Sequence, residues 1–197
     1  MARRVAKQQE QVKCVTANGT EAEITNEKDT DGNITASNEK QIQAIDLSID
    51  QNPDSPGEQE RIESCGGFVS PPPEEGLSAR VWLDPEFTHI GLAMARSLGD
   101  HAVKSVGVIS EPVVTYHDLT DDDEFMIIAT DGVWEFISSE EAVEIVHKRL
   151  SVSSGGGATA ACRELIETAA KRWAEHEGDY RDDITAVVVK TNELWRK

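Results

Sequence analysis

An α+β fold is what the sequence predicts, and three features predict it. The continuous apolar run "EFMIIAT" (Glu124–Thr130), bounded by turn signals, reads as a central strand buried on both faces. Two stretches, "SSEEAVEIVHKRL" (138–150) and "ATAACRELIETAAKRWAEH" (158–176), carry apolar residues at helical spacing along one face. Strands and helices do not alternate as a strict βαβα series, which argues against a doubly wound parallel sheet.

From the amino terminus, residues 7–41 are polar and rich in Glu, Asn, Thr, Lys and Gln. Val12 and Cys14 alternate weakly with polar neighbours, as do Ala22 and Ile24, and "KDTDGNIT" supplies turn chemistry after them. The region reads as a surface insertion or long hairpin, partly disordered. "AIDLSID" (Ala44–Asp50) alternates as a half-buried strand does. "SPGEQERIESCGG" is written as a helix, with Ser55 as N-cap, Pro56 at the first helical position and Glu58 as the capping-box acid. Gly66 and Gly67 end it. "ARVWLD" (79–84) reads as a strand, and "EPVVTYHDLTDDD" as a strand followed by an acidic turn.

Ser138 to Glu141 forms a capping box for the next helix, with Ala142, Val143, Val146 and Leu150 on one face. Gly155 to Gly157 is a flexible link. Ala158, Ala161, Leu165, Ala169 and Trp173 share a stripe on the second helix, and "ITAVVVK" (Ile184–Lys190) closes as a strand.

The bulk composition restricts partners. Of 197 residues, 38% are hydrophobic and 28% charged, so part of the chain is not core. A net charge of −18, from 37 acidic against 19 basic residues, argues against a nucleic-acid backbone or an anionic membrane as partner. Carboxylates are available for hard cations. Three dispersed cysteines, Cys14, Cys65 and Cys162, read as reduced thiols of a cytoplasmic or nuclear protein. No apolar run reaches the length of a membrane span, and "MARRVAKQQEQ" has no apolar segment behind its basic residues. None of the five histidines shows HxxxH or HxE spacing.

Two aspartates occupy comparable places. Asp131 follows the apolar strand, and Asp182, in "GDYRDDITAVVV", precedes another. If the two strands are antiparallel neighbours, both carboxylates reach one rim. Such a pair repels itself unless a cation or proton lies between, and Mg²⁺ or Mn²⁺ is the natural occupant. Gly132 then allows a tight turn and leaves room beside the ion. The same residues also read as ordinary Asp-Gly turn chemistry and as a salt-bridged strand flank in Arg181-Asp182-Asp183.

A run of motifs in order decides between these readings. "LSIDQNPDSPGEQERIESCGGFV", "GLAMARSLGD", "KSVGVISEPVV", "ATDGVWEFISSEEA" and "RDDITAVVV" together resemble the later motifs of the metal-dependent protein phosphatases of type 2C, from Ala44 to about Lys190. The resemblance implies part of a sandwich of two antiparallel β-sheets flanked by helices. It implies a binuclear Mg²⁺ or Mn²⁺ centre whose water hydrolyses phosphoserine and phosphothreonine, without a phosphoenzyme. Asp131 matches a metal ligand of the "DG" motif, and Asp182 the ligand of a final "DN" motif, where Asp183 replaces asparagine. Glu135 stands where an aspartate is usual near the metals, and Asp100 closes "SLGD"; with Gly132 and Asp183 these are candidates for the surroundings of the ions. Arg96 reads as a structural residue holding its loop. The implied partners are phosphorylated proteins, and the complete domain is expected to be monomeric.

The family's first-half signatures, an "RxxMED"-like strand, "DGHGG" and "GDSR", do not occur in these 197 residues. The other early Asp-Gly, in "TDGN", lacks His-Gly-Gly. It also fails as a calcium loop, with Ile34 at the glycine position and Lys40 at the terminal glutamate position. "MARRVAK" fits the remainder of the strand that follows "GDSR". The expected organisation is the end of an upstream strand plus a polar insertion over 1–43, the C-terminal part of a phosphatase domain over 44–192, and a tail over 193–197. A second reading treats the chain as an inactive truncated fragment that binds a partner or acts as a decoy.

Overall fold

The computed structural model describes residues 12–20, 26–28, 34–36, 41–72, 78–152 and 155–194. The readings placed on 1–11, on Ala22 and Ile24, on the turn over 29–33 and on the last three residues of the tail lie outside them. The chain divides into two compact units, one holding 50–114 and the other 10–49 with 115–197. The α+β class stands: every strand ladder among the described residues is antiparallel, and helices accompany the strands.

The larger unit is built on a four-stranded sheet. Its strands are β1 (Val12–Thr20), β4 (Gln41–Asp46), β7 (Asp123–Thr130) and β8 (Ala186–Lys190), in the order β4-β1-β7-β8. A short ladder of β2 (Asn26–Lys28) and β3 (Ile34–Ala36) is separate. β1 lies within the stretch read as a surface insertion or long hairpin, and it forms part of the main sheet. It pairs with β4 from Val15↔Asp46 to Thr20↔Gln41 and with β7 from Val12↔Thr130 to Asn18↔Asp123. Val15 and Ala17 are fully buried, so the segment is core despite its polar composition. The strand expected at 44–50 is also displaced, ending at Asp46 where its pairing with β1 ends.

Along β7, Asp123, Phe125, Ile127 and Ala129 are buried, while Glu124, Met126 and Ile128 are half-buried. The apolar run thus has one closed face rather than two. That face packs with α3 (Ser139–Leu150) and α4 (Ala158–Glu177) through Val143, Val146, Ala161, Leu165 and Ala169. Full burial of each larger aliphatic side chain contributes roughly 1.5–3 kcal/mol, which makes this face the main source of the unit's stability. Ser138 caps α3, its hydroxyl accepting from Glu141 N–H at 3.2 Å. The Glu141 carboxylate does not return to the cap but receives Arg172 of α4 at 2.6 Å.

Asp123 is buried at the start of β7. Burial alone would raise its pKa, but hydrogen bonds from Thr120 N–H, His117 and the Thr120 hydroxyl outweigh it and hold the carboxyl below its usual value. The strand expected around Val113–Tyr116 is absent. Residues 111–120 adopt no regular structure, and Val113, Val114 and Tyr116 are exposed. Alternation of apolar residues marks a strand only where a sheet edge receives it.

The smaller unit contains α1 (Glu58–Ser64), a hairpin of β5 (Phe68–Ser70) and β6 (Arg80–Trp82), and a 3-10 helix over His101–Val106. The N-cap of α1 is Gly57, not Ser55, and Glu60 accepts from its N–H at 2.5 Å. The helix ends as expected. Gly66, at φ 83°, donates to Glu63 O, and Gly67 donates to Ile62 O, which closes two of the last carbonyls. Glu58, read as a capping acid, is instead buried and holds two arginines. It receives Arg61 at 2.8 Å through both oxygens and Arg96 at 2.6 and 2.9 Å. Arg96 also donates to Glu111 O at 3.0 Å, in line with its structural reading.

Candidate metal-binding rim

The site is assembled by the junction of β7 and β8. Their register runs from Phe125↔Lys190 to Ala129↔Ala186, so the C-terminal end of β7 meets the N-terminal end of β8. The sequence left this neighbourhood conditional; the pairing supplies it. Contact continues past the ladder. Thr130 N–H donates to Thr185 O at 3.0 Å, the Thr130 hydroxyl donates to Asp183 O at 3.1 Å, and Thr185 N–H donates to that hydroxyl at 3.1 Å. One threonine thereby ties the residue before Asp131 to the residue after Asp182.

Asp131 opens the four-residue helix α2 (Asp131–Trp134), and its carbonyl accepts from Glu135 N–H at 2.9 Å. The residue is half-buried, with Oδ1 withdrawn from solvent. Asp182 is half-buried too, and its Oδ1 accepts from Asp183 N–H at 2.8 Å; Asp183 itself is exposed. Glu135 stands half-buried at the end of α2. Asp100 belongs to the smaller unit, in the left-handed conformation at φ 48° directly before the 3-10 helix.

Gly132 has a different reason from the one its motif suggests. Its φ lies outside the left-handed range, and the space beside it is filled rather than open. A Cβ there would stand 2.2 Å from Asp183 O and 3.1 Å from Ile184 Cα. Glycine lets the backbone of 183–184 lie directly against α2, which brings the Asp182 segment in close.

Two supports of this rim were missed in the sequence. Trp173 is 3% exposed, and its indole N–H donates to Gly132 O at 2.7 Å. Thr130 is buried with the three bonds given above. Trp173 had been placed in a helix stripe, where an indole reads as core; only its polar edge hints at a partner.

The donor chemistry suits a hard divalent ion, since both principal candidates offer carboxylate oxygen. The set is small. Among the described residues no group of three or more His, Cys, Asp or Glu side chains is arranged to hold a metal. Mg²⁺ commonly uses one or two carboxylates, with waters and substrate phosphate completing its shell. A pair at this rim therefore fits as part of such a shell.

Comparison with known proteins agrees with this architecture. The chain matches the protein phosphatase 2C family over residues 31–178, a span that includes Asp100, Asp131, Gly132 and Glu135 but ends before Asp182. It is 40% identical over 163 residues to probable protein phosphatase 2C 14 of Oryza sativa subsp. japonica, covering 81% of this chain and 30% of that protein. It is 43% identical over 145 residues to probable protein phosphatase 2C 18 of Arabidopsis thaliana, covering 73% and 27%. The chain thus spans less than a third of the length of these relatives. The structure superimposes on the crystal structure of serine-threonine phosphatase 2C from Toxoplasma gondii with a TM-score of 0.69. That match covers 91% of this chain and 51% of the other at 23% identity, a likeness of fold. With the motifs in order and most of its length matched, the chain belongs to the protein phosphatase 2C family.

Proposed function

We propose that this chain is part of a metal-dependent protein phosphatase that removes phosphate from phosphoserine and phosphothreonine side chains. The observation that carries this reading is the antiparallel junction of β7 and β8, with Thr130 bonded to both Asp183 and Thr185. It brings the segments bearing Asp131 and Asp182 to one rim. Asp131 and Asp182 would hold Mg²⁺ or Mn²⁺ through carboxylate oxygen. Gly132 keeps the two segments close, while Glu135 and Asp183 add negative charge on either side. Asp100 is a candidate by its place in the motif alone. When bound, such ions supply a water of lowered pKa and offset charge on the phosphoryl oxygens. The substrates would be phosphoproteins of the cytoplasm or nucleus, and the complete domain would act as a monomer.

The test is phosphate release from a phosphothreonine peptide by the 197-residue chain, with and without Mn²⁺, beside Asp131→Asn. Release that needs Mn²⁺ and is lost in the variant supports the reading. The smallness of the donor set among the described residues favours one rival, a binding module without activity. A folded chain that retains the phosphopeptide and releases no phosphate would select that rival.

A further inference from the structure

We infer that Trp173 is a positioning residue for the Asp131–Asp182 pair, an inference that rests on the metal-binding reading of that rim. The short helix α2 has only four residues, too few to hold its own geometry by helical hydrogen bonding. The peptide that begins at Gly132, the residue after Asp131, is instead fixed from outside. Its carbonyl, Gly132 O, receives the Trp173 indole N–H at 2.7 Å in a buried contact. The twenty-residue helix α4 carries that indole, and its Ala161, Leu165 and Ala169 are anchored in the core. The orientation of the Gly132–Val133 peptide, and through it the turn that begins at Asp131, is thereby referred to a helix anchored in the core.

The same ring touches the other arm. Tyr180 lies two residues before Asp182, and its ring meets Trp173 edge-on, with centroids 5.8 Å apart at 68°. Phe136, just past α2, meets Trp173 at 4.8 Å and 81°, and stacks on His176 at 4.7 Å and 9°. Trp173 therefore contacts the turn that bears Asp131 and the segment that delivers Asp182. Aromatic pairs in such edge-on geometry favour one mutual orientation over sliding. Bonds beyond the ligands commonly set the placement of ligating carboxylates, and losing one typically weakens metal affinity about 10- to 100-fold.

The experiment uses Trp173→Phe and Tyr180→Ala in the full chain. Hydrogen exchange is followed by mass spectrometry, Mn²⁺ affinity by calorimetry, and global stability by urea unfolding. Trp173→Phe keeps a ring but removes the donor. It should lose amide protection in 131–135 and bind Mn²⁺ roughly tenfold more weakly, with the rest of α4 still protected. Tyr180→Ala removes a half-exposed ring and should loosen 179–183 while leaving 131–135 protected. Native protection of 131–135 in Trp173→Phe, or a loss spread evenly along α4, would overturn the inference. So would native protection of 179–183 in Tyr180→Ala. If the native chain takes up no Mn²⁺ while both variants loosen their segments as expected, the positioning role stands and the metal reading falls.

Discussion

The carbonyl oxygen of Asp183 occupies the place where a side chain on residue 132 would begin: a Cβ on Gly132 would lie 2.2 Å from it. Backbone, not a pliable side chain, fills that space, so the Gly132→Ala protein must push the 183–184 segment away from α2. Overpacking of this kind costs about 1–3 kcal/mol. The expected outcome is a lower urea midpoint together with loss of Mn²⁺ uptake. Unchanged stability and uptake would show that the segment moves aside at no cost.

Thr130→Val removes a hydroxyl and keeps the shape. The change leaves Asp183 O without the 3.1 Å donor and Thr185 N–H without the 3.1 Å acceptor. Both bonds are only partly buried, so their loss costs about 1 kcal/mol. The loss should fall on the rim, so hydrogen exchange in 183–186 should quicken more than in β1. Equal exchange in both regions would contradict the tie described here.

Acid should destabilise the smaller unit through Glu58. Hydrogen bonds from Arg96 and then Arg61 hold its carboxyl at about 2, against burial that would raise it from 4.5. Because the folded value lies below the unfolded one, the pairing contributes fully above about pH 4.5 and is lost as the pH falls toward 2. The contribution is about 3 kcal/mol, as an order of magnitude. Glu58→Gln should be destabilised at neutral pH, since it leaves Arg61 and Arg96 without their anion, and should lose this part of the acid dependence. Unfolding curves at pH 7 and pH 3 for both proteins decide it; parallel shifts would refute the assignment.

Ser138→Ala tests a support distant from the rim's own hydrogen bonds. The side-chain cap on Glu141 N–H disappears, at a cost of about 1 kcal/mol. Thermal unfolding should register the loss while Mn²⁺ affinity stays at the native value. A change in affinity would mean that the start of α3 is coupled to the rim.

What the sequence determined by itself was local. The cap and apolar stripe of α3, the stripe of α4 and the glycine end of α1 are legible because helix signals lie within a few residues of one another. The approach of the segments that bear Asp131 and Asp182 was legible only as a condition, since two strand ends reveal their direction of approach only when paired. Tertiary structure decided the rest. Residues 12–20 look like polar surface, but a strand between two others needs few apolar side chains to be buried, and Val15 with Ala17 suffice. Val113 and Val114 look like a strand and stay exposed, because alternation carries no information about an available edge. Glu58 looks like a cap, yet its partner Arg96 lies 38 residues away. Gly132 and Trp173 follow the same rule. The reason for each is a contact with a backbone 51 or 41 residues distant in the chain, a separation no local pattern can encode.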